Sequence, residues 1–169
     1  VDDGGTWEVV HQPVITNYHW YTLIFPYSGF LWVQALRATG TNPQQGIIGN
    51  AVKSANGTTW TDAGFQLFNR VDTKQPTKAV EFNGNMYILT GGVNLNAGQL
   101  FRFGGSGVGT RVTAVEGVGS LVADVCVSDT HIYALAYSNN KIYSSTDGTT
   151  WIEKVTVPTA TICSSIAVD

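Results

Sequence analysis

Apolar residues in this chain alternate with polar ones over short runs, and no stretch repeats them at helical spacing. The runs are bounded by clusters of Gly, Asn, Ser and Thr, which is how strands joined by tight turns are written. Ala79 to Phe82 and Asn85 to Leu89 flank Asn83-Gly84, a strong signal for a two-residue hairpin turn. Asp124 to Val127 and His131 to Leu135 flank Ser128-Asp129-Thr130 in the same way. Tyr21 to Phe25 and Phe30 to Val33 flank a third turn expected over Pro26 to Gly29. Each hairpin is followed by a further run, Gly46 to Lys53, Gln99 to Phe103 and Lys141 to Ser144, and then by a fourth strand expected to begin at Trp60, Val112 and Trp151.

The join between third and fourth strands is where the sequence repeats itself. Ser145-Thr146-Asp147-Gly148-Thr149-Thr150-Trp151 is the clearest copy, and Ser54-Ala55-Asn56-Gly57-Thr58-Thr59-Trp60 matches it with Asn for Asp. Asp3, Gly4, Thr6 and Trp7 carry the same pattern from the Asp onward, and Ser106 to Val112 is a decayed copy that keeps only Ser106 and Gly109, with Thr110 one place early. The copies start at positions 1, 54, 106 and 145. Four-stranded units at this period are how a β-propeller is built. A β-sandwich would not explain why one turn recurs while the others vary.

The residues suit a structural turn. An Asp or Asn side chain accepts hydrogen bonds from amides two or three residues ahead, and Gly supplies a positive φ at little cost. The Trp offers a large apolar area to cover the gap between sheets. Calcium binding does not fit, because one carboxylate per turn falls far short of the roughly six to eight oxygens that ion takes.

This pattern resembles the Asp-box, or BNR repeat, in its shortened form Ser-x-Asp-Gly-x-Thr-Trp. The resemblance implies an all-β propeller of four-stranded antiparallel blades, at roughly 18–66, 77–118 and 119–157, within a single segment covering 1–169. Strand 6–12 would belong to a preceding blade and 161–169 to a following one. Three blades cannot close a ring of about four to eight, so the remainder of a longer chain, or further copies, is expected to complete it. The absence of an initiator Met and the start inside a motif point the same way. The structural motif residues are then Asp3, Gly4, Thr6, Trp7, Ser54, Asn56, Gly57, Thr59, Trp60, Ser145, Asp147, Gly148, Thr150 and Trp151. In this family the turn lies on the propeller edge, away from the ligand face.

Composition narrows the function classes. Charged residues make up 12% of the chain and the net charge is -3, which argues against disorder and against a nucleic-acid interface. No apolar run approaches the roughly 20 residues that span a bilayer. Cys126 and Cys163 are too few for a disulfide scaffold and read as buried thiols, with a single bridge between repeats as the other reading. His11, His19 and His131 are not at metal spacing, no metal or cofactor is implied, and Asn56-Gly57-Thr58 matches a glycosylation sequon that the turn itself explains better.

Asp-box propellers include sialidases, xyloglucan-cleaving enzymes, sorting receptors and phage or surface proteins, so fold leaves function open. Sialidases need an arginine triad, and this chain has only Arg37, Arg70, Arg102 and Arg111, the last inside the decayed motif. Glycoside cleavage needs two facing carboxyls, and Glu81 and Glu116 show no partner in the sequence. No catalytic residue is nominated. The expected role is a non-enzymatic binding or structural module of a secreted, cell-surface or phage-tail protein, recognising carbohydrate or protein. Its candidate ligand-binding residues are Tyr18, Trp20, Tyr27, Trp32 and Arg37, an aromatic-rich group, together with the loops Ala38 to Gln45 and Gly91 to Gly98. The competing expectation is a fragment of a sialidase-like or xyloglucanase-like glycoside hydrolase.

Overall fold

The computed structural model describes residues 19–38, 46–67, 75–91, 98–115, 121–136, 140–156 and 165–168. These residues are all-β apart from one 3-10 turn at Thr113–Val115. The first sheet is β1 (His19–Tyr27), β2 (Phe30–Ala38), β3 (Gly46–Ser54) and β4 (Thr61–Asp62). The second is β5 (Gln75–Phe82), β6 (Asn85–Gly91), β7 (Gln99–Phe103) and β8 (Thr110–Arg111), and the third is β9 (Val122–Val127), β10 (Ile132–Ala136), β11 (Lys141–Ser145) and β12 (Ile152–Thr156). Every strand pairs antiparallel with its sequence neighbour, so each sheet is a simple four-stranded meander.

Two hairpins turn through residues at positive φ. Asn83 (48°) and Gly84 (68°) connect β5 to β6, and Ser28 (50°) and Gly29 (78°) connect β1 to β2. Positive φ at both central residues matches the type I′ turn, whose twist suits the flanking strands. The first turn is therefore shorter than the Pro26 to Gly29 expected from sequence. Pro26 and Tyr27 remain in β1, opposite Leu31 and Phe30. A proline is tolerated there because β1 is an edge strand of its sheet, where a missing N–H need not break a ladder.

The fourth strands also start away from the expected positions. β4 and β12 begin one residue after Trp60 and Trp151, whereas β8 begins at Thr110, two residues before Val112. The decayed motif closes through positive φ at Gly105 and Gly107 rather than through an Asp side chain. Thr110 then pairs with Arg102, and Val112 N–H donates to Leu100 O at 2.8 Å beyond the strand. Residues 165–168, expected to lie in a further strand, are assigned none; Ile166 N–H donates to Asp124 Oδ2 at 3.0 Å. Strand 6–12, the loops at 39–45 and 92–97, Cys163 and the remainder of 161–169 lie outside the described residues.

The period-2 alternation of strands explains how the sheets share their cores. In β6, Met86 and Ile88 face the first sheet, where they join Phe25, Tyr27, Trp32, Ala51 and Leu67. Tyr87 and Leu89 face the third sheet and join Val122, Val125, Ile132 and Ala134. The second sheet is thus covered on both sides, and the interior of β6 is buried throughout. The first of these cores is largely aromatic. Trp32 meets Phe103 edge-on with ring centroids 5.2 Å apart, and Phe65 lies 6.2 Å from Trp32 and 6.0 Å from Phe103. Such pairs add about 0.5–1.5 kcal/mol each beyond the area they bury.

Trp32→Ala is expected to destabilise the protein by about 3–5 kcal/mol, the range for truncating a large buried aromatic. Urea denaturation followed by circular dichroism measures this, and a loss under about 1 kcal/mol would contradict the placement of Trp32 at the centre of that core.

Candidate functional site

The two clearer motif copies form the same hydrogen-bonded turn. In the third sheet, Ser145 Oγ accepts from Gly148 N–H at 2.8 Å and donates to Asp147 Oδ1 at 2.9 Å. Asp147 Oδ1 also accepts from the amides of Thr149 and Thr150, both at 2.7 Å. In the first sheet, Ser54 Oγ accepts from Gly57 N–H at 2.9 Å and donates to Asn56 Oδ1 at 3.1 Å. Asn56 Oδ1 takes the amides of Thr58 and Thr59 at 3.0 and 2.8 Å. Of the Asp or Asn side chain only Oδ1 accepts, which is why an amide substitutes for a carboxylate here. The carboxylate bonds are the shorter set, as expected when the acceptor is charged.

These bonds hold the Asp147 carboxyl well below the usual carboxylate range, first through the Thr150 amide, then through Thr149 and the Ser145 hydroxyl. Gly57 and Gly148 sit at φ 77° and 73°, the left-handed region that glycine enters cheaply. Trp60 Nε1 donates back to Gly57 O at 3.1 Å, whereas Trp151 packs against the core shared by the second and third sheets. Asp3, Gly4, Thr6 and Trp7 lie outside the described residues.

The turns meet the neighbouring sheet through tyrosines. Tyr87, on β6, donates from its hydroxyl to Gly148 O at 3.1 Å, and Asn83 Nδ2 donates to Thr146 O at 2.8 Å. A Cβ on Gly148 would fall 1.7 Å from the Tyr87 hydroxyl, so the glycine is required by contact as well as by φ. Gly57 has only Leu31 Cδ1 within reach, at 3.8 Å. On the other side, Tyr27 Oη donates to Gly84 O at 2.6 Å and rests near Gly105, just before the decayed motif. Burial raises the pKa of both tyrosines, and Arg102 partly opposes the shift at Tyr87. Lys78 and Asp124 add an ion pair of 2.8 Å between β5 and β9.

Two of the expected ligand-binding aromatics are core residues instead. Tyr27 is 5% exposed and Trp32 2%, and Trp32 Nε1 is satisfied by Tyr27 O at 3.1 Å. Their alternation within β1 and β2 points them at the second sheet, which sequence alone cannot reveal without knowing the stacking order. Trp20 pairs with Leu36 and Arg37 with His19 across β1 and β2, and Tyr18 lies outside the described residues. Cys126 is a buried free thiol whose pKa is raised chiefly by that burial. His131 stacks on Tyr133 with centroids 5.8 Å apart, and its Nδ1 lies 2.8 Å from Thr130 Oγ1. Among the described residues no three His, Cys, Asp or Glu side chains converge on a metal-sized site.

A hollow of about 200 Å³ opens at the seam of the second and third sheets, between β8 and the Gly148-Thr149 turn. Arg102, Thr110, Arg111, Val112, Thr113, Ala114, Gly148 and Thr149 line it. Sequence reasoning missed this site because Arg111 looked like debris of the decayed motif. The register that sets Arg102 opposite Thr110 and Arg111 opposite Phe101 is visible only once β8 is placed, and it turns the two arginine side chains to opposite faces of the sheet.

Gly57→Ala is expected to cost about 1–2 kcal/mol through left-handed strain alone, and Gly148→Ala to cost more because it also displaces Tyr87. Equal losses in a denaturant titration would contradict the contact. Asp147 has a folded pKa below its unfolded value, so its stabilisation is complete above the unfolded pKa of about 4 and is lost as pH falls through that range. Asp147→Asn keeps the acceptor oxygen and removes the titration, as Asn56 does naturally. Its Tm is expected to fall less than that of the unaltered protein between about pH 5 and pH 2; parallel acid limbs would contradict this.

No family model matches the sequence, and no curated protein matches it. Among solved structures, one described as a glycoside hydrolase is similar over 79% of this chain and 35% of its own, at 14% identity and a TM-score of 0.45. The chain thus spans about a third of that protein's length, and a likeness at this level carries no argument about fold or function.

Proposed function

We propose that the three sheets are consecutive blades of an Asp-box β-propeller, and that the segment works as a non-enzymatic binding or structural module. The observation that carries this reading is the recurrence of one turn, with the same donors and acceptors, between the third and fourth strands of two sheets. The one-directional stacking supports it, because the second sheet offers Met86 and Ile88 backward and Tyr87 and Leu89 forward. A ring of blades extends that arrangement through further sheets, supplied by more of the same polypeptide or by further copies.

A non-enzymatic role is supported by what four of the described carboxylates do. Asp62 caps the Gly64 amide and Asp147 closes its turn, while Asp124 and Glu153 pair with Lys78 and Lys141. Each stabilises a turn, a sheet or a seam, whereas glycoside cleavage requires two carboxyls poised across a substrate cleft. The ligand class proposed is carbohydrate or protein, and the low charge suits a secreted, cell-surface or phage-tail setting.

The test is a pair of assays on the native polypeptide: retention on a glycan array and turnover of a panel of fluorogenic glycosides. Saturable retention without turnover is expected. Turnover above the buffer rate, abolished by substituting a single carboxylate, would overturn the reading in favour of a glycoside hydrolase.

A further inference from the structure

The chain contains two Asn-Gly pairs, Asn56-Gly57 and Asn83-Gly84, and the fold holds them differently. At such a pair the glycine amide nitrogen, with no Cβ beside it, can attack Cγ of the asparagine. A C–N bond forms and the side-chain nitrogen leaves as ammonia. Water then opens the cyclic imide to aspartate or to its β-linked isomer. The step needs a side chain free to turn and a glycine nitrogen able to give up its proton. At Asn56 both are engaged. Its Oδ1 accepts from Ser54 Oγ and from the amides of Thr58 and Thr59, and Gly57 N–H donates to Ser54 Oγ.

Asn83 is exposed, and its side chain is held through Nδ2, which donates to Thr146 O at 2.8 Å. One bond to release there compares with four at Asn56-Gly57. The turn closes between its flanking residues, Phe82 and Asn85, and so leaves the Gly84 amide outside its own hydrogen bond. Asn85 Nδ2 donates to Asn83 O at 3.0 Å, which draws electron density from the very peptide whose nitrogen must lose its proton.

We propose that Asn83-Gly84 is a site of spontaneous deamidation whose product unlocks the second sheet from the third. Asn83 Nδ2 is the donor that ties the β5–β6 turn to the motif of the third sheet. Either product replaces that donor with a carboxylate and sets a charged oxygen against the Thr146 carbonyl, two acceptors with no proton between them. At Asn56, conversion to aspartate yields the residue that the third sheet already carries at this place, Asp147, in a turn with the same bonds. One pair is guarded and its aspartate tolerated, whereas the other is open and its product breaks a contact between sheets. The inference uses turn geometry alone and stands apart from the propeller and ligand readings above.

Ageing the unaltered protein in mildly alkaline buffer tests this, with peptide mass spectrometry reading the change from amide to acid at each pair. Asn83 is expected to convert about tenfold or more faster than Asn56, a factor that one or two hydrogen bonds of difference supply. In concentrated urea both pairs are freed and their rates are expected to converge. Tm is expected to fall in step with conversion at Asn83. Asn83→Asp is expected to reproduce that fall, and Asn56→Asp to keep the native Tm. Equal rates in the folded protein, faster conversion at Asn56, or a ratio unchanged by urea would overturn the site. A native Tm in Asn83→Asp would overturn the lock. Should that variant fail to fold, the Tm of the aged protein plotted against its Asn83 conversion decides the matter.

Discussion

The contact between the Tyr87 hydroxyl and the Gly148 carbonyl joins two requirements that otherwise compete. The turn between β11 and β12 needs a residue at positive φ, and the seam between the second and third sheets needs a large side chain to exclude water. Glycine satisfies the first and, by having no Cβ, leaves room for the tyrosine that satisfies the second. A buried hydroxyl left without a partner costs about 1–3 kcal/mol, so the carbonyl that receives it matters as much as the space. In the third sheet the motif is therefore both a way to close a turn and a seat for the neighbouring sheet.

That arrangement has a direction. Trp32 and Tyr87 each stand third in their strand, β2 and β6, and each projects into the core ahead of it. Tyr27 reaches the Asn83-Gly84 turn of the second sheet, and Asn83 in turn reaches the motif of the third. Polar bonds at the turns fix how far one sheet slides over the next, while the apolar cores supply the cohesion. Seams held in this way leave a sheet edge such as β8 exposed beside a turn, which is where the hollow next to Gly148 and Thr149 arises.

Much of the local structure was legible in the sequence. Asn83-Gly84 marks its turn by composition, the β7 bounds match the expected run from Gln99 to Phe103, and the Ser, Asx and Gly of each motif announce their hydrogen bonds by spacing. What was not legible depended on neighbours in space. Pro26 looked like a turn former, but an edge strand accommodates it and the turn moves to Ser28-Gly29. Tyr27 and Trp32 looked like an exposed binding group, and only the stacking order shows that they face another sheet. The start of β8 depended on a turn whose Asp has been lost, and with it went the pairing of Arg102 with Thr110 and of Phe101 with Arg111.

The central claim is that Gly148 is kept small for Tyr87. A double-mutant cycle between Gly148→Ala and Tyr87→Phe, read by equilibrium denaturation, tests it most directly. Phe removes the oxygen that the new methyl would strike, so the double mutant is expected to lose less than the sum of the two single losses, by about 1 kcal/mol or more. Losses that add within about 0.3 kcal/mol would mean that the turn and the tyrosine act independently, and would contradict the account.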